Sequence, residues 1–294
     1  MTSHDLDATK AGIWHFDNDT RSVTRMGYGA MQLAGPGVFG PPADEDAAIA
    51  VLRRVVELGI NHIDTSDFYG PFVVNELIRE ALYPYPENLV LVSKVGARRD
   101  EQGGWLHAFE PDDLRKGVED NLTRLGIDSI DLVNLRMPGL AGPEEGEIGK
   151  QVETMAELRE QGLIRHVGVS NATLKQLEAA RAIVPIAQVQ NAFNVVDRGN
   201  AAMVDHCAAA GIAYVPFFPL GSAFRQLEAD VLGTVAARHD ASVHQIALAW
   251  LLARSPAILL IPGTSSIAHL EQNVAAANVV LTEDDLAQLD AMEN

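Results

Sequence analysis

Cysteine is all but missing: Cys207 is the single one among 294 residues, so no intrachain disulfide can form. It lies in the helical-looking stretch AAMVDHCAAAG and reads as a small buried helix residue. A chain without a disulfide framework fits a cytosolic setting. Long apolar runs are lacking too; AILLIP is too short to cross a bilayer. The opening MTSHDLDATKAG has no apolar core, so no secretory signal is expected and the reading is cytoplasmic. Positive charge is scarce, with 22 Lys and Arg against 40 Asp and Glu and a net charge of −18. With no basic run to offset it, such a surface repels phosphate backbones and argues against a nucleic-acid partner. No His, Cys and Asp set has metal-ligand spacing, so no metal is expected. A serine-nucleophile motif is absent as well.

What remains is a chain that is 47% hydrophobic with a regular alternation of short apolar runs and amphipathic stretches. GIWHFDNDTRSVTR reads as a small hairpin around a polar turn at Asp17–Asp19. Strands are expected at Met26–Met31, His62–Thr65, Leu89–Val95, Ser129–Arg136, Arg165–Val169, Ile186–Gln190, Ala213–Phe217 and Ile258–Pro262. Helices are expected between them at Asp44–Leu58, Val73–Leu82, Pro111–Leu125, Val152–Gln161, Leu174–Ala182 and Ala201–Ala210. Several end at a glycine, a C-cap signal. Leu227–Arg254 holds two more, broken near Asp240–Ser242, and Ile267–Ala277 and Glu283–Met292 complete the chain. Eight strand–helix alternations without a linker predict one α/β domain over residues 1–294, a (β/α)8 TIM barrel with extra C-terminal helices. A doubly wound sheet is the rival, but GYGAMQ keeps only two glycines of the G-x-G-x-x-G fingerprint.

In such a barrel, chemistry gathers at the C-terminal strand ends. Asp64 stands at the end of strand two with Tyr69 in the loop beyond it, Lys94 ends strand three, and Arg136 ends strand four. Ser170 and Asn171 end strand five, and Gln190 ends strand six. The segments RMGYGAM, GINHIDTSDFYG, LVSKVG, GIDSIDLVNL, LREQGLIRHVGVSN, QVQNAFN, FFPLG and IPGTSSIAHLEQN, in this order, resemble the aldo-keto reductase family over nearly the whole chain. Within the family the resemblance is to bacterial members that reduce pyridoxal. It implies that the N-terminal hairpin plugs the barrel and that a nicotinamide cofactor, NADPH with NADH as an option, reduces an aldehyde or ketone. Tyr69 would be the proton donor, Lys94 the nearby cation that lowers its pKa from about 10, and Asp64 the ion-pair partner of Lys94. Taken singly, Asp64 reads as a strand-end cap and Lys94 as a solvated strand end.

One position departs from the family. Where a segment such as DLYQLHRP carries a histidine, this chain has DLVNLRMP and Arg136. Arginine is neither acid nor base near neutrality, but its fork donates several hydrogen bonds. It is expected to orient the carbonyl or to bind an anionic group beside it, such as the ring oxygen of pyridoxal; the plain reading is a pair with a nearby carboxylate. The resemblance also implies that Ser170, Asn171 and Gln190 hold the nicotinamide carboxamide. Phe217 would stack on its ring, its plain reading being barrel core, and Gly29, Ala30, Met31, Leu220, Gly221 and Ser222 would approach by backbone. Gly263, Thr264, Ser265, His269, Gln272 and Asn273 would meet the adenosine phosphate end. Trp105 and His107 are read as lining a substrate loop or packing it. His62 and His166 are read as satisfied structural histidines. Partners are confined to a small carbonyl substrate, with a monomer or weak oligomer expected. The alternatives are a cofactor-binding regulatory subunit and a catalytically weak family member.

Overall fold

The computed structural model of the 294-residue chain describes residues 6–16, 21–139, 142–221 and 229–292. The opening hairpin pairs β1 (Ile13–His15) with β2 (Ser22–Thr24), Trp14 facing Val23; its turn lies outside the described residues. Seven parallel strands follow, side by side in chain order: β3 (Tyr28–Gly29), β4 (His62–Asp64), β5 (Val90–Val95), β8 (Ile130–Arg136), β9 (Ile164–Ser170), β10 (Ile186–Gln190) and β11 (Ala213–Tyr214). The eighth expected strand, Ile258–Pro262, is not a continuous strand. It closes the barrel through isolated bridges, Tyr214 to Ile258 on one side and Met26 to Leu260 and Gly29 to Gly263 on the other. The cause is steric. A Cβ on Gly29 would sit 2.5 Å from the Ile261 carbonyl oxygen, and one on Gly263 would sit 2.8 Å from that of Gly29. The two backbones approach too closely for side chains, so glycine occupies both places. The result is the expected (β/α)8 architecture. Strand one is correspondingly shorter than expected, and Ala30–Leu33 turns into a 3-10 helix.

Helices cover the outside: α1 (Glu45–Glu57), α2 (Val73–Leu82), α3 (Pro111–Leu125), α4 (Gly149–Glu160), α5 (Leu174–Arg181), α6 (Ala201–Ala210), α7 (Ala229–Arg238), α8 (Val243–Arg254), α9 (Ile267–Ala275) and α10 (Glu283–Asp290). Local chemistry sets their ends. In α1 the Asp44 carboxylate accepts from the Ala47 N–H at 2.9 Å, Glu45 and Asp46 favour the positive end of the helix, and Arg54 favours the negative end. Ala48, Leu52 and Val55 recur at helical spacing and are buried. Each buried Leu or Val contributes about 2 kcal/mol of transfer free energy. The break between α7 and α8 falls at Asp240, whose φ is +49°, and Ser242 and Gln245 then form a capping box. Among the described residues no helix is long and apolar enough to cross a membrane.

Inside the barrel lies a separate apolar cluster of Val90, Val92, Leu132, Ala213, Val215, Leu259 and Ile261, joined by Phe16 and Val23 from the opening hairpin. The hairpin therefore plugs one end. Just beyond it, the half-buried Arg25 fastens the barrel seam. Its guanidinium donates to the carbonyls of Ala11, Leu252, Ser255 and Ile258 at 3.3, 2.8, 2.6 and 3.1 Å.

A second hairpin, β6 (Ala97–Arg99) and β7 (Trp105–His107), stands on the opposite end. Sequence reading missed it, because its strands have three residues each and no buried face; the Gly103–Gly104 pair was the available turn signal. A buried polar network links strands to helices beside it. Thr65 donates to Asn75 at 2.8 Å, and Asn75 donates to Asn121 at 2.8 Å. Ser93 also donates to Asn121, at 2.5 Å, while Asn121 donates to the Gly117 carbonyl at 2.7 Å. Asp67 joins through Asn121 and Ser66, and burial raises its pKa to about 7 against those hydrogen bonds.

Two outcomes follow for stability. Arg25→Lys removes the planar fork that spans four carbonyls, and chemical denaturation should show a loss of about 3 kcal/mol. Asp67 binds its proton more tightly folded than unfolded. It therefore costs stability as pH rises from about 4 to about 7, by up to about 1.4 kcal/mol per unit. Asp67→Asn should raise Tm over the wild type more at pH 8 than at pH 5 in paired thermal melts.

Candidate active site

Five polar side chains, those of Asp64, Lys94, Arg136, Ser170 and Gln190, stand at the C-terminal strand ends around the mouth opposite the plug. Asp64 ends β4, and Lys94 stands one residue before the end of β5. They form an ion pair, Lys94 Nζ to Asp64 Oδ1, at 2.5 Å, and Lys94 also donates to the Thr65 carbonyl at 3.0 Å. From across the barrel, Gln190 at the end of β10 donates to the other oxygen, Asp64 Oδ2, at 2.8 Å. Both members of the pair are buried. Lys94 is thus not a solvated end and Asp64 not a mere cap. Burial opposes the Lys94 charge, but Asp64 and then Tyr69 outweigh it, so the Lys94 pKa is raised.

Tyr69 is buried in the loop after β4, and its ring centroid lies 5.0 Å from Lys94 Nζ. Burial pushes the phenol pKa up. Lys94 opposes this as a charge and as a hydrogen-bond donor, Asp64 adds to it, and Arg136 opposes it more weakly. The net direction is upward, contrary to the expectation that the cation brings the phenol below its usual value. Desolvation of a phenolate outweighs one nearby ammonium that is already neutralised by Asp64. The phenol is therefore fully protonated at neutral pH.

Arg136, half-buried, ends β8. Its Nη1 donates to the Met137 carbonyl at 2.5 Å and its Nη2 to that of Gly139 at 3.2 Å. Among the described residues no carboxylate lies within ion-pair distance. Burial lowers its pKa, and the charge of Tyr69 acts against that. The plain reading of Arg136 as a partner of a neighbouring carboxylate has no support among the described residues.

The other residues expected in the site sort by position. Ser170, at the end of β9, is buried, and its hydroxyl has no partner among the described residues. Gln190 spends its amide nitrogen on Asp64. Asn171, with φ +56°, donates through Nδ2 to the carbonyls of Pro138, Gly139 and Gly142 at 2.8, 3.0 and 3.1 Å, which ties down the loop after β8. Phe217 is half-exposed, not barrel core, and meets Phe218 edge to face at 5.3 Å. Gly29 ends β3, Ala30 and Met31 open the 3-10 turn, and Leu220 and Gly221 follow β11; Ser222 lies outside the described residues. Gly263, Thr264 and Ser265 lead into α9. Thr264 is pinned by Tyr28, whose hydroxyl donates to its carbonyl at 2.6 Å. His269 and Gln272 are exposed on α9, and Asn273 is buried.

Trp105 lines the mouth on β7. It is 44% exposed and packs edge-on against Phe68, which packs edge-on against Tyr69. The Arg99 guanidinium lies 4.2 Å from the Trp105 ring centroid and donates to the carbonyls of Gly37, Val38 and Gly103. Sequence reading missed Phe68 and Arg99; nothing marks Arg99 until the β6–β7 hairpin is seen. The expectation for His62 also fails. It is fully buried, but neither ring nitrogen has a partner among the described residues.

The family description "Aldo/keto reductase family" matches residues 25–294. Pyridoxine 4-dehydrogenase of Escherichia coli (strain K12) is 56% identical over 279 residues, which cover 94% of this chain and 97% of that protein. An uncharacterised oxidoreductase of Schizosaccharomyces pombe is 40% identical, covering 97% and 91%. Among solved structures, the thermostable aldo-keto reductase Tm1743 with the inhibitor epalrestat superposes with a TM-score of 0.80 at 29% identity, covering 95% of this chain and 98% of that one. An aldo/keto reductase from Klebsiella pneumoniae in complex with NADP and acetate gives 0.77 at 25% identity, covering 96% and 97%. With its barrel, its buried Lys94–Asp64 pair and these matches, the chain belongs to the aldo/keto reductase family and is an oxidoreductase.

Proposed function

We propose that a single barrel domain reduces an aldehyde, with pyridoxal as the substrate, to the alcohol using NADPH. The observation that carries this reading is the protonated phenol of Tyr69, buried beside the Lys94–Asp64 pair at the mouth. The name of the 56% identical relative supports the substrate, and the NADP in the Klebsiella pneumoniae structure supports the cofactor.

The residues present fit a nicotinamide. The free Ser170 hydroxyl, the Gln190 side-chain oxygen and Asn171 Oδ1 suit a carboxamide. The half-exposed Phe217 ring suits the face of the nicotinamide. Thr264, Ser265, His269 and Asn273, at and near the start of α9, suit a phosphate, whose charge the helix N-terminus favours. Gly263 and Gln272 flank that end, and Gly29, Ala30, Met31, Leu220 and Gly221 offer backbone along the path. When bound, NADPH supplies a hydride to the carbonyl carbon. Tyr69 gives its proton to the carbonyl oxygen. Lys94 steadies the phenolate that is left, and Asp64 with Gln190 holds Lys94 in place. Arg136 orients the carbonyl and pairs with an ionised oxygen beside it. Its three remaining N–H groups have no partner among the described residues, and a fork that meets two neighbouring oxygens is held firmly. Trp105 walls the substrate.

Purified protein with NADPH and pyridoxal should lose reduced-nicotinamide absorbance, and Tyr69→Phe should lower kcat at least about 100-fold by removing the acid. No turnover by the wild type, or an unimpaired Tyr69→Phe, defeats the reading. Arg136→Leu should reduce kcat/KM for pyridoxal about 100-fold and that for benzaldehyde much less. Equal losses on both would remove the anion-pairing role and leave only orientation of the carbonyl.

A further inference from the structure

Strand residues two apart point to the same face. Asp64, Arg136 and Gln190 face the mouth, so the residues one pleat below them face the barrel axis: His62 under Asp64, Asn134 under Arg136 and Gln188 under Gln190. All three are polar, and all three are fully buried. Gln188 reaches over β9 to contact Asn134 Oδ1 at 3.4 Å. Gly168 makes that crossing possible, because a Cβ there would sit 2.2 Å from Asn134 Oδ1. On the other side Gly27 leaves room for the His62 ring, whose Nδ1 would lie 2.8 Å from a Cβ.

Four polar atoms of this layer have no partner among the described residues: both His62 nitrogens, Asn134 Nδ2 and Gln188 Oε1. Buried polar groups in folded proteins are satisfied as a rule, by protein or by ordered water. The four atoms mix donors with acceptors. Asn134 Nδ2 donates, Gln188 Oε1 accepts, and neutral His62 does one of each. A cation would meet the Asn134 and His62 N–H groups, and an anion would meet the Gln188 oxygen with the Asp64 carboxylate above. A small neutral molecule that both donates and accepts matches all four, and buried waters make about three such bonds. The layer also touches the chemistry: the charges of Asp64 and Lys94 both act on His62, while burial keeps its ring neutral at neutral pH. Asp64 uses one bond from Lys94 and one from Gln190, which leaves acceptor capacity free on the carboxylate.

We propose that His62, Asn134 and Gln188 form a binding site for ordered water on the barrel axis beneath Asp64, and that His62 is a positioning residue acting on Asp64 through that water. The water site goes beyond the proposed reduction and stands without it; only the action on Asp64 rests on that reading.

The sign of one stability change tests the site. In a dry layer, His62→Leu removes two unpartnered polar atoms and loses no hydrogen bond, so Tm rises or stays level. In a hydrated layer it strips partners from bound water, so Tm falls. A crystal structure of the wild type should show water within hydrogen-bond distance of a His62 nitrogen and of Gln188 Oε1. His62→Met, flexible and apolar, provides the same comparison if His62→Leu does not fold, since neither His62 nitrogen has a partner to lose among the described residues. For the action on Asp64, His62→Leu should leave KM unchanged and move the pH profile of kcat by about half a unit or more, while His62→Gln, which keeps a donor and an acceptor, restores it. A higher Tm in both apolar variants without water density overturns the site, whether or not the protein reduces pyridoxal. Water density with an unmoved pH profile overturns the positioning role of His62.

Discussion

The Lys94–Asp64 ion pair is the constraint around which the mouth is arranged. Two charges withdrawn from water are costly unless geometry and added hydrogen bonds compensate. Here the Thr65 carbonyl takes a second Lys94 proton, and Gln190 crosses the barrel to the second Asp64 oxygen. The pair therefore needs β4, β5 and β10 in fixed register, which only a closed barrel supplies. Tyr69 then inherits its environment. It sits close enough to feel the ammonium, yet the carboxylate behind that ammonium blunts the effect, and burial decides the outcome. An acid that holds its proton at neutral pH is what a carbonyl becoming an alcohol requires.

Arg136 is the counterpart that lacks such compensation. Two backbone carbonyls hold it, one of them from its own neighbour, and no carboxylate meets it among the described residues. A half-buried charge that meets no described carboxylate supports the proposed pairing with an occupant that brings negative charge. The acidic net charge of the chain makes the contrast sharper: among the described residues no carboxylate is placed against this fork.

Much of this was legible in the sequence because period and position carry it. The alternation of apolar runs with helical stretches revealed the barrel, and the polar residues ending those runs, Asp64, Lys94, Arg136, Ser170 and Gln190, are the ones the strands bring to the mouth. Features made by close approach were not legible. The eighth segment looks like a strand in AILLIP, yet the contact between Gly29 and Gly263 replaces a ladder with bridges. Neither Phe68 nor Arg99 carries a local signal; each matters only through the ring or carbonyls it meets across loops. His62 misled for a related reason. A histidine within a strand looks structural, and that its nitrogens lack partners among the described residues depends on what the other strands bring to the barrel axis.

Arg25 ties the two ends of the chain together in time as well as in space. Its partners at Leu252, Ser255 and Ile258 lie more than 220 positions downstream. During synthesis the hairpin and the early strands emerge long before anything can fasten them. Contacts so distant along the chain make closure slow and leave open strand edges exposed in the meantime. The barrel can be completed only when its last helices leave the ribosome. A chain cut short before residue 252 would lack the seam altogether and present β3 and β11 as bare edges, ready to pair with another copy.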